Sequence, residues 1–342
     1  MEVLVTGANG LLGRHLVAAL RSRGDKVRAL VLPAEDAAWL EQRRVTIHRG
    51  DVRAPETLVE PVRGADIVFH LAGMMGVWCP ISHYHAVNVT GTENVCRAAL
   101  AAKVNRLVHV SSWTVYGMTK GFPLREEHPL APFPEPYALT KTRGEQAVWR
   151  FIKEERLPAA IIRPDTFFGP GDRVHFGRMA DRVAAGKGII VGSGRNVLPF
   201  VYVTDVAQGL LLAAERDRAV GQAYNIASDH PLTQGEIWEA IAEDVGARAP
   251  SIHVPYHALY AAAVVIERAA DLVRARRQPI ITRLGARLFG TDNRHAIDKA
   301  CRELGYAPRV PVREGLRLAA EWHNRQRARP TDGGQTPLRE AA

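Results

Sequence analysis

Cysteine is scarce in this chain, with three residues among 342, at positions 79, 96 and 301. Three thiols cannot close a disulfide framework, and none has the close spacing of a zinc site. They read as free thiols of a reducing compartment. Long apolar runs are missing too. The longest in the C-terminal part, Ala258–Ile266, falls far short of the roughly 20 residues that span a bilayer. No basic leader and apolar stretch precede the first strand-like segment, Met1–Val5. The expectation is therefore a soluble, cytoplasmic chain with no signal peptide and no transmembrane segment.

What is present is ordinary in amount: 46% hydrophobic and 24% charged residues, the mixture of a packed globule. The net charge of +9 acquires meaning only when located. The whole excess falls between Arg248 and Arg329, in helical-looking segments without interleaved aromatics or a nucleic-acid-binding signature. A solvated helical face explains it first, and contact with an acidic substrate or an anionic membrane surface second. Nucleic acid is not an expected partner.

Order along the chain points to an α/β protein. Short apolar strands at Glu2–Thr6, Val27–Val31, Val45–His48, Asp66–Leu71, Arg106–Ser111 and Ala159–Arg163 alternate with helical windows at Leu11–Arg21, Asn88–Ala102 and Pro136–Glu155. That alternation predicts a Rossmann-type doubly wound parallel sheet covered on both faces. The second half is richer in Gly and Pro turns, with strands near Phe200–Val203 and Ala223–Ile226 and helices around Val206–Glu215 and Gln234–Val245. We expect a dinucleotide-binding domain over 1–170, with segments near 200–230 returning to it. A smaller substrate-binding lobe follows over 171–322, and a flexible tail from 323 to 342.

Gly7, Gly10 and Gly13 follow the first strand and open a helix. Such a turn bends sharply, lets backbone approach a pyrophosphate, and presents a helix N-terminus to its charge. Further on, Tyr137 and Lys141 stand at i and i+4 of a helical window, one above the other. An ammonium there stabilises tyrosinate and lowers the phenol pKa, suiting it to exchange a proton with an alcohol or carbonyl near neutral pH.

Together with Ser111-Ser112 before Val115-Tyr-Gly117, these segments resemble the extended short-chain dehydrogenase/reductase superfamily, the NAD-dependent epimerase/dehydratase family. The resemblance covers roughly residues 1–320. It implies Ser112, Tyr137 and Lys141 as catalytic residues. Tyr137 would transfer the proton, Ser112 would hydrogen-bond the reacting oxygen, and Lys141 would also orient the cofactor ribose. It further implies cofactor contacts at Gly7, Asn9, Gly10, Leu11, Leu12 and Gly13, at Asp51 and Val52, at Leu71, Ala72 and Gly73, and at Asn88, Tyr137, Lys141 and Pro164. The cofactor is NAD or NADP. The strand-two positions that would mark either form are Val31 and Leu32, so no marker exists, although Arg14 and Arg28 are near enough in sequence to meet a 2′-phosphate. No metal is implied, and a homodimer is expected.

Three departures narrow the branch. Trp113 and Thr114 stand where a dehydratase carries an acid pair. Leu198 stands where nucleotide-sugar epimerases hold a diphosphate-gripping arginine. The segments Gly73–Cys79, Tyr84–Asn88 and Gln278–Arg283 through Tyr306 resemble the 3β-hydroxysteroid dehydrogenase-type branch, which includes reductases of 2-alkyl-3-oxo acids. The implied activity is oxidoreduction of a secondary alcohol and ketone on an apolar, steroid-like or 3-oxo acid substrate. The alternatives are a nucleotide-sugar epimerase and a dinucleotide-binding sensor or scaffold, the latter opposed by the presence of all three catalytic-type residues. The apolar segment Pro255–Ile266, with Arg268, Arg274, Arg276 and Arg277 after it, reads either as a lid buried against the core or as a cap over an apolar substrate. In the second reading its arginines lie near a carboxylate or an anionic membrane surface, leaving peripheral membrane contact open.

Overall fold

A computed structural model describes residues 1–117, 121–273, 275 and 278–328. Its main sheet holds seven parallel strands: β1 (Glu2–Thr6), β2 (Lys26–Val31), β3 (Thr46–Arg49), β4 (Ile67–His70), β5 (Arg106–Val110), β6 (Ala159–Pro164) and, later in the chain, β10 (Gln222–Ile226), in the order β10-β6-β5-β4-β1-β2-β3. Two short parallel pairs lie outside it, β7 (Thr166–Phe168) with β9 (Phe200–Tyr202) and β8 (Ile190–Val191) with β11 (His253–Val254).

The central strands are apolar on both sides because helices cover both faces. On one face Val3, Val5 and Phe69 pack against Leu12 and Leu16 of helix Leu11–Ser22 and against Leu210 of helix Val203–Glu215. On the other, Leu4, Val68 and Leu107 meet Val95 of helix Thr92–Ala101 and Val148 of helix Pro136–Glu155. Each fully buried aliphatic side chain contributes about 1.5–3 kcal/mol of transfer free energy. A second core joins Phe168, Phe200 and Tyr202 to Ile237, Trp238 and Leu316 in the C-terminal lobe.

The chain runs from β1 outward through β2 and β3, then returns to build β4, β5 and β6 on the other side of β1. The order therefore reverses beside β1, where such sheets open a crevice for ligands beyond their carboxyl ends. Two local differences from the sequence reading stand out. The helical window from Asn88 starts in a wider π turn, Ala86–Gly91, before the α-helix Thr92–Ala101. The first part of the tail expected from 323 is helical, because helix Val312–Ala328 continues through it and Asn324 Nδ2 donates to Asp244 O at 3.2 Å. The rest of the expected tail, 329–342, lies outside the described residues.

A buried ion pair ties the sheet to its helices. Arg163 on β6 donates through Nε to both oxygens of Glu145 on helix Pro136–Glu155, each at 3.1 Å, with both side chains almost fully buried. Glu145 also accepts from Ser111 Oγ at 2.6 Å and from Trp149 Nε1 at 3.1 Å. Arg163 donates to Tyr116 Oη at 2.6 Å, and Tyr116 in turn donates to Asn225 Oδ1 on β10 at 2.7 Å. Removing one partner would strand a buried charge. We expect Arg163→Met to cost about 3–5 kcal/mol in urea unfolding, and Arg163→Met/Glu145→Leu to lose less than the single variant. An additive or larger loss in the double variant would contradict this account.

Candidate active site

The glycine turn is held by steric necessity. Gly7 adopts φ +69°, and a Cβ there would lie 2.8 Å from Ala72 N. A Cβ on Gly13 would lie 2.2 Å from Gly7 O, so the helix can start this close to the strand only with glycine. The result is a bare backbone cradle at the sheet's reversal point, a fit for a pyrophosphate at a helix N-terminus. Gly10 N donates to Gly7 O at 3.1 Å. Leu12 turns its side chain into the core, and Leu11 packs against that core from its edge. Asn9 Nδ2 reaches across to Asp36 O at 2.7 Å.

The other expected cofactor positions gather around this cradle. Ala72 N donates to Thr6 Oγ1 at 3.1 Å, and a Cβ on Gly73 would lie 3.3 Å from Asn88 Oδ1 and 3.9 Å from Lys141 Nζ. Asn88 Oδ1 accepts from Met74 N at 2.7 Å, while its Nδ2 donates to Met74 O at 3.1 Å and Thr140 Oγ1 at 3.0 Å. Asp51 lies beyond the end of β3, with its carboxylate on Arg53 at 2.6–2.9 Å, and Val52 O accepts from Asn94 Nδ2 at 3.0 Å. Pro164 closes β6 and is buried. The two arginines separate. Arg28 pairs with Glu2 and donates to Arg63 O at 2.5 Å, at the amino edge of the sheet, so it cannot meet a 2′-phosphate. Arg14 stands at the glycine turn, donating through Nε to Asn9 O at 3.0 Å and lying 5.3 Å over the Trp39 ring.

Ser112, Tyr137 and Lys141 converge. Ser112 Oγ accepts from Thr114 N at 3.2 Å and Thr114 Oγ1 at 2.9 Å, which leaves its own proton for the hydrogen bond it makes with Tyr137. Lys141 Nζ donates to Val110 O at 2.6 Å, and burial pushes its pKa down to about 8. Burial raises the Tyr137 phenol, and its hydrogen bond with Ser112 opposes the rise. The lowering expected from Lys141 is thus not expressed in this geometry, because the ammonium is turned to the strand-end carbonyl. Behind it lie two buried histidines, His70 and His109, with ring centres 5.3 Å apart. His70 bridges Thr6 and Thr92, and burial pushes its pKa down to about 3, so it stays neutral.

Tyr137 opens onto a cavity of about 730 Å³ between the dinucleotide side and the C-terminal lobe. Met75, Val77, Trp78, Ile281, Leu284, Leu288 and Phe289 give it an apolar wall. Tyr84 Oη pins the first of these loops, donating to Val77 O at 2.6 Å and accepting from Val77 N at 3.0 Å. Leu198 does not line the cavity; it is fully buried in the lobe core with Phe200 and Trp238.

Sequence reasoning missed Glu135, the residue before Pro136 at the start of the Tyr137 helix. It borders the cavity, is 5% exposed, and both carboxyl oxygens lack a hydrogen-bond partner. A lone acid inside Phe133-Pro-Glu-Pro-Tyr137 was the available signal. Burial, reinforced by Glu267 and opposed by Arg287 and Arg283, pushes its pKa up to about 7.

The NAD-dependent epimerase/dehydratase family model matches residues 3–227. A 2-alkyl-3-oxoalkanoate reductase of Stenotrophomonas maltophilia is 32% identical, over 93% of this chain and 98% of that protein. The 4-hydroxy-2-methyl-3-oxo-4-farnesyl-3,4-dihydroquinoline-1-oxide ketoreductase of Stigmatella aurantiaca is 34% identical, over 92% of this chain and 95% of that one. The crystal structure of gox2253 superposes with a TM-score of 0.81 at 32% identity, covering 95% of this chain and 98% of the other.

Glu135 generates a pH prediction. Its folded pKa of about 7 lies above the ordinary 4.5, so over that window the unfolded chain releases a proton that the folded chain keeps. The contribution of Glu135 to stability should be fullest below about pH 4.5 and be lost as pH rises through 7. Glu135→Gln removes this slope, leaving the variant on the order of 1–3 kcal/mol more stable than the parent at pH 8 and nearly equal at pH 4.5. Urea melts at the two pH values decide; an unchanged slope in the variant would show that Glu135 is not the titrating group.

Proposed function

The chain belongs to the NAD-dependent epimerase/dehydratase family, among the extended short-chain dehydrogenases/reductases of the 2-alkyl-3-oxoalkanoate reductase and 3β-hydroxysteroid dehydrogenase branch, and from that premise we propose that it interconverts a secondary alcohol and a ketone on an apolar substrate. The observation that carries the reading is the opening of Tyr137, whose phenol is hydrogen-bonded to Ser112, onto a cavity of about 730 Å³ with an apolar wall. A cavity of that size takes a fatty or polycyclic ligand whole. A 2-alkyl-3-oxo acid or a steroid-like ketone is the substrate class.

The residues at the cradle fit a nicotinamide dinucleotide. Gly7, Gly10 and Gly13 would leave room for its pyrophosphate, Asp51 and Val52 would hold its adenosine side, and Gly73, Asn88 and Lys141 would hold its nicotinamide side. When bound, that group supplies or accepts the hydride. Arg14 is the one candidate for a 2′-phosphate among the two read from the sequence, and Glu35 and Asp36 oppose it in charge, so we propose a modest preference between NAD and NADP.

Tyr137 moves the proton. In the reducing direction its phenol protonates the oxygen that becomes the alcohol, and in the oxidising direction it receives that proton. Ser112 donates to the same oxygen and orients it, its other hydrogen-bonding capacity being taken by Thr114. Lys141 remains largely cationic at neutral pH, since about 8 is its pKa in this burial. Its charge stabilises the tyrosinate left behind once it swings from Val110 O towards the phenol. The apolar wall excludes water from the exchange.

Tyr137→Phe should reduce turnover of a 2-alkyl-3-oxo acid or apolar cyclic ketone by roughly 10²–10⁴-fold, with dinucleotide affinity retained. Nicotinamide absorbance reads the first quantity and fluorescence titration the second. Near-normal activity in the variant would remove Tyr137 from the mechanism. Titration calorimetry with UDP-sugars at about millimolar concentration should show no binding, since the wall of Met75, Val77, Trp78, Leu284 and Leu288 does not compensate the desolvation of a sugar diphosphate; Arg178 and Arg182 are the cavity cations that binding would implicate. Tight UDP-sugar binding with exchange at a sugar carbon and no net cofactor turnover would transfer the reading to epimerisation.

A further inference from the structure

Glu135 borders the cavity two residues before Tyr137, and neither of its carboxyl oxygens has a hydrogen-bond partner among the described residues. The cations that act on its charge are engaged elsewhere. Arg283 is paired with Glu267, which also accepts from Arg283 N at 2.7 Å. Arg287 donates through Nη2 to Tyr260 Oη at 2.7 Å, with its guanidinium 4.6 Å from the centre of the Phe133 ring. A folded chain rarely leaves a carboxyl this deeply buried without a partner, because nothing then offsets the loss of its hydration.

The neighbouring charges restrict what can meet this carboxyl. Glu135 and Glu267 stand against Arg283 and Arg287, two acids and two guanidiniums, so the corner favours neither an anion nor a cation. An anionic oxygen would meet the acids, and an ammonium would meet the arginines. A neutral group is left, and a hydroxyl suits Glu135 in either protonation state. The carboxylate accepts the hydroxyl proton, and the neutral carboxyl can donate as well. Burial pushes the Glu135 pKa up to about 7, so both forms are present at neutral pH. The aliphatic side chains of Val77, Ile281, Leu284 and Leu288 on the cavity wall offer an oxygen no such contact. We propose that Glu135 anchors a hydroxyl of the substrate, set off from the ketone that Tyr137 protonates, and thereby selects hydroxylated apolar ketones over unsubstituted ones. Two fixed polar points on an otherwise largely apolar wall decide which ketone of a ligand is presented and in which orientation. The selection rests on the ketone-reductase reading, whereas binding of the hydroxyl does not.

The probes are androstan-3-one and its derivatives hydroxylated on successive rings, with turnover followed by nicotinamide absorbance. We expect the parent enzyme to favour at least one hydroxylated ketone by about tenfold or more in kcat/KM. Glu135→Leu should bring that ratio close to one, and Glu135→Gln should keep most of it, since an amide both donates and accepts. A purely structural role for Glu135 would alter both ketones alike and leave their ratio unmoved. An unchanged ratio in Glu135→Leu, the absence of any preference in the parent, or an equal loss in Glu135→Gln would overturn the anchor and leave ketone reduction standing. Titration calorimetry with the corresponding alcohols, diol against mono-alcohol, reads the same preference from binding alone. An enzyme inactive on every ketone would therefore remove the reductase reading, and the calorimetric ratio would still decide the anchor.

Discussion

The Arg163–Glu145 pair is the constraint on which the site depends. Glu145 sits one helical turn after Lys141, and Arg163 sits next to Pro164 at the end of β6. Their contact sets the rotation of the helix that carries Tyr137 and Lys141 against the strand end that carries Ser111 and Ser112. Through Tyr116 and Asn225 the same network reaches β10, and Asn225 Nδ2 donates to Leu124 O and Ala296 O, each at 3.1 Å, binding the lobe's return segments to the sheet. A buried ion pair contributes little net stability against an apolar isostere. Its value here is geometric: only one rotation of the helix satisfies both oxygens of Glu145.

Polarity in the molecule is layered around that network. The sheet's carboxyl edge and the Tyr137 helix facing it carry His70, His109, Ser111, Glu145 and Lys141, all buried, while the cavity beyond joins an aliphatic and aromatic wall to Glu135, His175, Arg178 and Arg182. The two regions meet at Tyr137. Tyr137 thus stands where a buried polar cluster meets a partly apolar space, and the apolar stretch of wall beside it strengthens the hydrogen bonds at that edge.

Much of this was legible in the sequence, and the reason differs by element. The central strands β1, β4, β5 and β6 announce themselves because parallel strands buried on both faces are nearly continuous apolar runs, whereas the edge strand β3 is half exposed and shows only a short alternation. The glycine turn and the Tyr137–Lys141 spacing are local, so spacing alone places them. What was not legible depends on contacts between distant segments. Whether Arg28 or Arg14 reaches the cofactor side is decided by the direction a strand residue points. Leu198 reads as a missing phosphate ligand from its position in the motif, but only tertiary packing shows it filling a core. Glu135 is unremarkable until burial removes its partners. The segment after Pro255 read as either a buried lid or a cap; it borders the cavity along one side and leaves the other bare, which a count of apolar residues could not resolve.

The π turn at Ala86–Gly91 has a consequence for register. Its wider winding accommodates about one residue more than an α turn over the same rise, and so offsets the phase of everything after it by about 100°. Tyr84 before the turn faces the cavity loop, and Thr92, Val95 and Cys96 after it face the sheet. Both sets are seated only because of that offset. Removing one residue from the turn would leave a more regular helix in which either Asn88 or the Val95 face points astray. The helix thus works as two differently clocked segments joined by a spacer, one bracing the cavity loop at Val77 and the other packing on the sheet, and a residue gained or lost within it would turn one of them out of its seat.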